Sequence, residues 1–246
     1  MFGVGGGTLI VPVVLWTLQL QGISSHPYAQ HLAIGTSFAV MVFTTFSSMY
    51  AQHKKSAIDW QTVRRMTPSM IFGVLIGAVT AKYMPTRSLQ IFFIVFLTLI
   101  ALKTLTDSKP KASRHLPGLP GLSAVGTLFG AASSWVGIGG SLSVPFLMYC
   151  NFPAHRAIGT SSGLAWPIAL AGTIGYLVTG WNVSDLPHGS GGFLYLPAVA
   201  ILSIATMIFA PLGVKTAHKL PARQLKISFG IMLLLIAIKM AWNLVR

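Results

Sequence analysis

Residues 29–51 read AQHLAIGTSFAVMVFTTFSSMYA. A helix needs about 20 mostly apolar residues to cross the hydrocarbon core of a bilayer, and this run supplies them without a single Lys, Arg, Asp or Glu. Its head carries a polar set, His31-Leu-Ala-Ile-Gly-Thr-Ser37. The set returns at His155-Arg-Ala-Ile-Gly-Thr-Ser161, at the head of a second long run, 155–180. A polar motif repeated at the head of two spanning-length apolar runs reads as a duplicated, all-α polytopic membrane protein.

Working outward from the first stretch, a short apolar piece covers 8–20, and longer runs cover 66–83 and 88–106. Around the second stretch lie 119–136, a Gly break, 140–150, 193–217 and 222–244. Between the two sets is a polar segment with Pro and Lys, 107–118. Further matches keep the same order on both sides of it. Gly3-Val-Gly-Gly-Gly-Thr-Leu-Ile-Val-Pro12 resembles Gly137-Ile-Gly-Gly-Ser-Leu-Ser-Val-Pro145, and Met84-Pro-Thr-Arg-Ser-Leu89 resembles Leu220-Pro-Ala-Arg-Gln-Leu225. The expected organisation is a first transmembrane repeat over 1–106, a cytoplasmic linker over 107–118, and a second repeat over 119–246. The second repeat has an apolar segment, 119–136, ahead of its Gly motif, whereas the first has only Met1 and Phe2 there. Either the first copy has lost that helix or the start of the chain is missing, and the second explanation is the expected one.

Composition agrees with a membrane protein. Charged residues are 8% of the chain, against roughly 25% in soluble domains, and the mean hydropathy is +0.71. The net charge is +14, from 17 Lys and Arg against Asp59, Asp107 and Asp185, with no Glu. The basic residues form short clusters between apolar runs, the pattern of cytoplasmic loops rather than of a nucleic-acid-binding face. No nucleic acid is expected as a partner. A lone Cys150 excludes an intrachain disulfide and any CxxC metal or redox motif. Three acids, none inside an apolar run, supply neither a di-metal cluster nor a carboxylate proton relay. No metal and no cofactor is expected; Cys150 reads as a small apolar filler or, alternatively, as a thiol relay.

Loop 52–65 holds Lys54, Lys55, Arg64 and Arg65, whereas its counterpart, 181–192, holds no Lys or Arg. The next loop reverses this: 214–223 holds Lys215, Lys219 and Arg223, against Lys82 and Arg87. Opposite insertion of the two copies would move the charge in this way, with 119–136 and 140–150 forming a re-entrant pair. A parallel duplication with one broken helix is the alternative.

Two motifs carry the candidate site. Gly5, Gly6, Gly7 and Thr8, and Gly139, Gly140 and Ser141, open short apolar pieces. Unwound backbone within a membrane is tolerated where it is buried in protein or lines water, and free N–H groups at such breaks suit an anion. Close packing through small residues is the alternative reading. Thr36, Ser37, Thr160, Ser161 and Ser162 add hydroxyls near the heads of long helices; their alternative is capping or bonding to the preceding turn. His31, His155 and Arg156 would set a positive potential, or reach lipid headgroups as interfacial residues. Gly159-Thr-Ser161-Ser-Gly163 also fits the GxSxG pattern of a serine hydrolase, but that elbow needs a strand before it. Trp166-Pro167, Pro197 and Pro211 are expected to kink their helices, and Asp59-Trp60 to anchor a helix start.

The doubled pattern of Gly-rich turn, apolar run with Pro, and His-x-Ala-x-Gly-Thr-Ser resembles the TauE/SafE family of sulfite and organosulfonate exporters. The basic loop ending Ala57-Ile-Asp59-Trp60 and the stretch Leu220-Pro-Ala-Arg223 are similar to the family's turns as well. The resemblance spans both halves. It implies a multi-pass inner- or plasma-membrane permease whose substrate is a small sulfur anion: sulfite, thiosulfate or a sulfonate. It places the site at the two Gly turns and the two Gly-Thr-Ser stretches, with Ser141 adding a hydroxyl where the family has Gly. Alternating access between the repeats is the expected mechanism. A non-transporting accessory membrane subunit is the second functional class. The lipid bilayer is a necessary partner, and a homo-oligomer is compatible with the sequence.

Overall fold

The runs that are apolar on most faces become helices, the one open-ended structure that satisfies every backbone polar group in lipid. The computed structural model describes residues 7–20, 26–106, 116–184, 186–219 and 222–245. In order they form α1 (Gly7–Leu20), α2 (Ala29–Lys54), α3 (Trp60–Tyr83), α4 (Thr86–Leu105), α5 (Leu119–Val136), a 3-10 turn (Gly140–Leu142), α6 (Ser143–Tyr149), α7 (Ala154–Gly180), a two-residue hairpin of β1 (Ser190–Gly191) and β2 (Leu194–Tyr195), α8 (Leu196–Lys219) and α9 (Ala222–Val245). Among the described residues five helical stretches are long and apolar enough to span a membrane: Ala29–Lys54, Trp60–Tyr83, Thr86–Leu105, Ala154–Gly180 and Ile227–Leu244. The protein is an all-α polytopic membrane protein.

The outward faces show the same chemistry. In α4 only Leu89, Phe93, Leu97 and Ala101 are buried, one stripe at every fourth residue. Ile91, Val95 and Leu99 lie exposed on its other side, as do Phe72 and Val79 of α3 and Ile201 and Ile204 of α8. Such faces are stable against acyl chains and not against water.

The two helices headed by the repeated motif form the centre, and they cross antiparallel. Gly35 and Phe38 of α2 pack on Tyr176, Phe38 also on Gly172, Phe46 on Trp166, and Ser48 on Ser162. As the α2 number rises, the α7 number falls. The head of α2 therefore lies at one end of the molecule and the head of α7 at the other. Helix α3 runs parallel to α7, with Val63 beside Gly163 and Ala78 beside Gly175. It also runs parallel to α5 along a seam of small residues. Gly126 meets Ser69, Gly130 meets Met70, Gly73 meets Thr127, and Gly77 meets Ala131 and Ser134. Small residues let helix backbones approach closely where no hydrophobic effect drives association. Helix α9 packs on α4, with Gly230 against Leu105.

Several expectations are sharpened. Helix α3 begins at Trp60 rather than 66, so Arg64 and Arg65 are exposed on its first turns and the connecting loop shrinks to 55–59. Asp59 is its N-cap, accepting from the N–H groups of Gln61 (3.1 Å) and Thr62 (3.4 Å). Pro197 starts α8 and does not kink it, because the first helical turn needs no N–H from that residue. Pro167 and Pro68 lie inside α7 and α3. The 181–192 connection holds part of a hairpin the sequence reading did not foresee.

Candidate functional site

The break predicted after 136 is a left-handed cap. Gly137 has φ +71°, a backbone state in which a Cβ is strained. Its N–H and that of Ile138 both donate to Ser133 O, at 2.9 and 3.1 Å. The chain then turns through Gly139 into the 3-10 turn and α6. This turn meets the other Gly motif. A Cβ on Gly7, at the start of α1, would collide with the Gly137 carbonyl oxygen and stand 3.0 Å from Met41 Sδ. Ser37 Oγ donates to that same Gly137 oxygen at 3.1 Å. Gly140 lies against α7, where a Cβ would be 2.8 Å from Ser161 O. Its own carbonyl accepts from Ser161 Oγ at 2.7 Å and from Ser143 Oγ. Gly7, Ser37, Gly137, Gly139, Gly140 and Ser161 thus converge on one buried junction. The Thr8 and Ser133 hydroxyls beside it are buried and have no hydrogen-bond partner among the described residues.

A family profile described as sulfite exporter TauE/SafE matches residues 1–240. The chain belongs to the TauE/SafE family. Among its relatives is a probable membrane transporter protein of Haemophilus influenzae, 33% identical over 98% of this chain and 91% of the relative. Another, a probable membrane transporter protein of Methanocaldococcus jannaschii, is 26% identical over 92% of this chain and 84% of its own length. The sulfite exporter TauE/SafE family protein 5 of Arabidopsis thaliana is 26% identical over a shorter stretch, 42% of this chain and 21% of its own. No solved structure matches the chain. Membership makes this a multi-pass protein of a membrane transporter family.

Other expected site residues of this TauE/SafE chain take different places. Thr36 Oγ1 accepts the N–H of Tyr195 at 2.9 Å, and Thr160 Oγ1 accepts the N–H of Asp59 at 3.0 Å. Each preceding glycine makes room for the same segment: a Cβ on Gly35 would strike Phe193 O, and one on Gly159 would strike Ala57 O. Each Gly-Thr pair seats the two or three residues that lead into the long helix following the other motif helix, the pair of α2 those before α8 and the pair of α7 those before α3. Ser162 donates to Ile158 O at 3.0 Å and faces Ser48.

The histidines differ. His31 is 1% exposed. Its Nε2–H donates to Ala81 O at 2.8 Å, and its ring lies against Tyr28 and Phe193. His155 and Arg156 are exposed at the opposite end, on the first turn of α7. Gly5, Gly6 and the Ser141 side chain lie outside the described residues.

The sequence reading missed Gln30, Ser133 and Tyr176. Tyr176 is fully buried and donates its OH to Ser134 O at 2.8 Å, tying α7 to the end of α5. None of the three recurs in the other motif: Gln30 aligns with Ala154, and Ser133 falls in a segment with no matching stretch ahead of Gly3 in the sequence. A polar residue in an apolar run was the available signal.

Proposed function

We propose that the chain is a permease for a small sulfur oxyanion (sulfite, thiosulfate or an organosulfonate) that binds at the Gly7–Gly137 junction and crosses by alternating access. The observation carrying this reading is the meeting of the start of α1 at Gly7 with the break between α5 and α6 at Gly137–Gly140, with hydroxyls from α1, α2, α5 and α7 around it. Irregular backbone at membrane depth is the usual setting of a transported ion, and halves of opposite orientation give a transporter two nearly equivalent states. The antiparallel crossing of α2 and α7 supports inverted halves.

The charges support an orientation. Lys54, Lys55, Arg64, Arg65, Lys103 and Arg156 are exposed around one end, and Lys82 and Arg87 lie at the other. By the positive-inside rule the Lys54 end faces the cytoplasm. At the opposite end a cleft of about 390 Å³ lined by His26, Tyr28, Lys82, Asn182 and Ser184 lies beside the start of α2. Lys82 there gives an arriving anion a favourable potential.

The test is anion flux in proteoliposomes holding only this chain, with sulfite, thiosulfate, sulfoacetate, sulfate and chloride. Flux of at least one sulfur anion, lost on Gly140→Leu while insertion persists, is the expected result. Absence of all flux from inserted, monodisperse protein would favour an accessory subunit.

A further inference from the structure

Helix α2 turns one face to the junction. Ile34 packs on Gly137, Ser37 donates to the Gly137 carbonyl, and Met41 lies by Gly7. These positions are spaced by three and four residues, so they share a face. One turn earlier the fourth member of that face is Gln30. It is 0% exposed, and neither its amide nitrogen nor its amide oxygen has a hydrogen-bond partner among the described residues. A buried amide left unpaired costs more than a hydrophobic residue of the same size would. Two further buried hydroxyls unpaired among the described residues, those of Thr8 and Ser133, also can donate.

The charge around this face is equally informative. The described stretches that build the junction, 7–20, 29–53, 116–155 and 157–180, contain no Lys, Arg, Asp or Glu, and Arg156 is exposed on the first turn of α7. Any anion there is held by neutral donors alone. The cost of taking an ion out of water rises with the square of its charge, while the gain from neutral dipoles rises only in proportion. A lining of amides and hydroxyls therefore accepts one negative charge far more readily than two.

We infer that the Gln30 carboxamide is a substrate-binding group, and that the junction takes a singly charged oxyanion, a sulfonate or hydrogen sulfite, in preference to a doubly charged one such as sulfate. This rests on the reading of the Gly7–Gly137 junction as the substrate site. The amide N–H₂ donates to an oxygen of the anion, and the amide oxygen accepts from the hydroxyl of hydrogen sulfite when that is the occupant.

The experiment uses the full chain in detergent and in proteoliposomes, with methanesulfonate and sulfate as probes and with Gln30→Met and Gln30→Leu as variants. Wild-type protein should be stabilised thermally by methanesulfonate and should transport it. Sulfate should compete at least roughly tenfold less well. Gln30→Met should raise the KM for methanesulfonate by roughly tenfold, the loss of one hydrogen bond to a charged group, with the unliganded melting temperature unchanged or higher. An unchanged KM in both variants overturns the role of Gln30. So does a fall in unliganded stability, or failure to fold, in both variants, because the amide is then structural. Sulfate competing as well as methanesulfonate overturns the charge preference. Wild-type protein that neither binds nor moves either anion removes the anion site itself, an outcome separable from the variant results.

Discussion

The heads of α2 and α7 carry nearly the same letters in different surroundings. His31-Leu-Ala-Ile-Gly-Thr-Ser37 is buried from its first residue, and His155-Arg-Ala-Ile-Gly-Thr-Ser161 begins exposed and becomes buried only within the helix. What stays constant between them is the Gly-Thr pair. Gly35 and Gly159 admit the Phe193 and Ala57 carbonyls, and Thr36 and Thr160 hold the Tyr195 and Asp59 N–H groups. What differs is everything polar around the pair: His31 bonded to Ala81 against exposed His155, Leu32 against Arg156, Gln30 against Ala154. Repetition here marks scaffold, and divergence marks the places where the two halves meet different environments.

Three perturbations would break or sharpen that comparison. The largest effect is expected at the glycines. Gly35→Val and Gly159→Val each drive a side chain into backbone, and each should cost upward of about 4 kcal/mol, the range of severe core disruption. Loss of the monodisperse peak in fluorescence-detected size-exclusion chromatography should be equal for the two. Tolerance of one and not the other would end the structural equivalence of the two Gly-Thr pairs. The histidines should then separate. His31→Ala removes a buried ring and one of the two hydrogen bonds to the Ala81 carbonyl, which keeps that from the Met84 N–H, at a cost of about 2–4 kcal/mol, whereas His155→Ala on an exposed turn should stay within about 0.5 kcal/mol. Equal melting shifts for the two would contradict the difference in burial. The smallest effect is expected at the threonines. Thr36→Val and Thr160→Val each remove the acceptor of one backbone N–H, a loss of about 1–2 kcal/mol. Thr→Ser should restore most of it, and transport per folded molecule should barely change. A large KM change from Thr36→Val with intact stability would return that hydroxyl to the substrate.

Much of the fold was legible because lipid imposes one solution on a long apolar run. The bounds of α5 were readable to the residue, because Gly118 and Gly137 bracket an unbroken apolar segment. The start of α3 was not, because Gln61-Thr-Val-Arg-Arg65 lowers the hydropathy of a turn that Asp59 nevertheless caps. The hairpin at 190–195 was hidden for another reason. It is held by Phe193, whose N–H donates to Tyr176 O at 3.2 Å, a tertiary contact without a local pattern. In the site, the meeting of Gly7 with Gly137 follows from two motifs visible in the sequence, but which hydroxyls face it depends on helix rotation. Thr36 and Ser37 are neighbours in sequence and point about 100° apart, so one seats a loop and the other bonds the Gly137 carbonyl.

The small-residue seam between α3 and α5 has a mechanical consequence. Backbones meshed at Gly73, Gly77, Gly126 and Gly130 leave no room for an acyl chain to wedge between them and no side-chain layer to shear. At one tip the pair carries Asp59, whose N–H donates to Thr160 of α7, and toward the other it carries Gly137, pressed against Gly7. The loop at the helix start and the turn at the protein's centre are thus the two ends of one closely meshed helix pair.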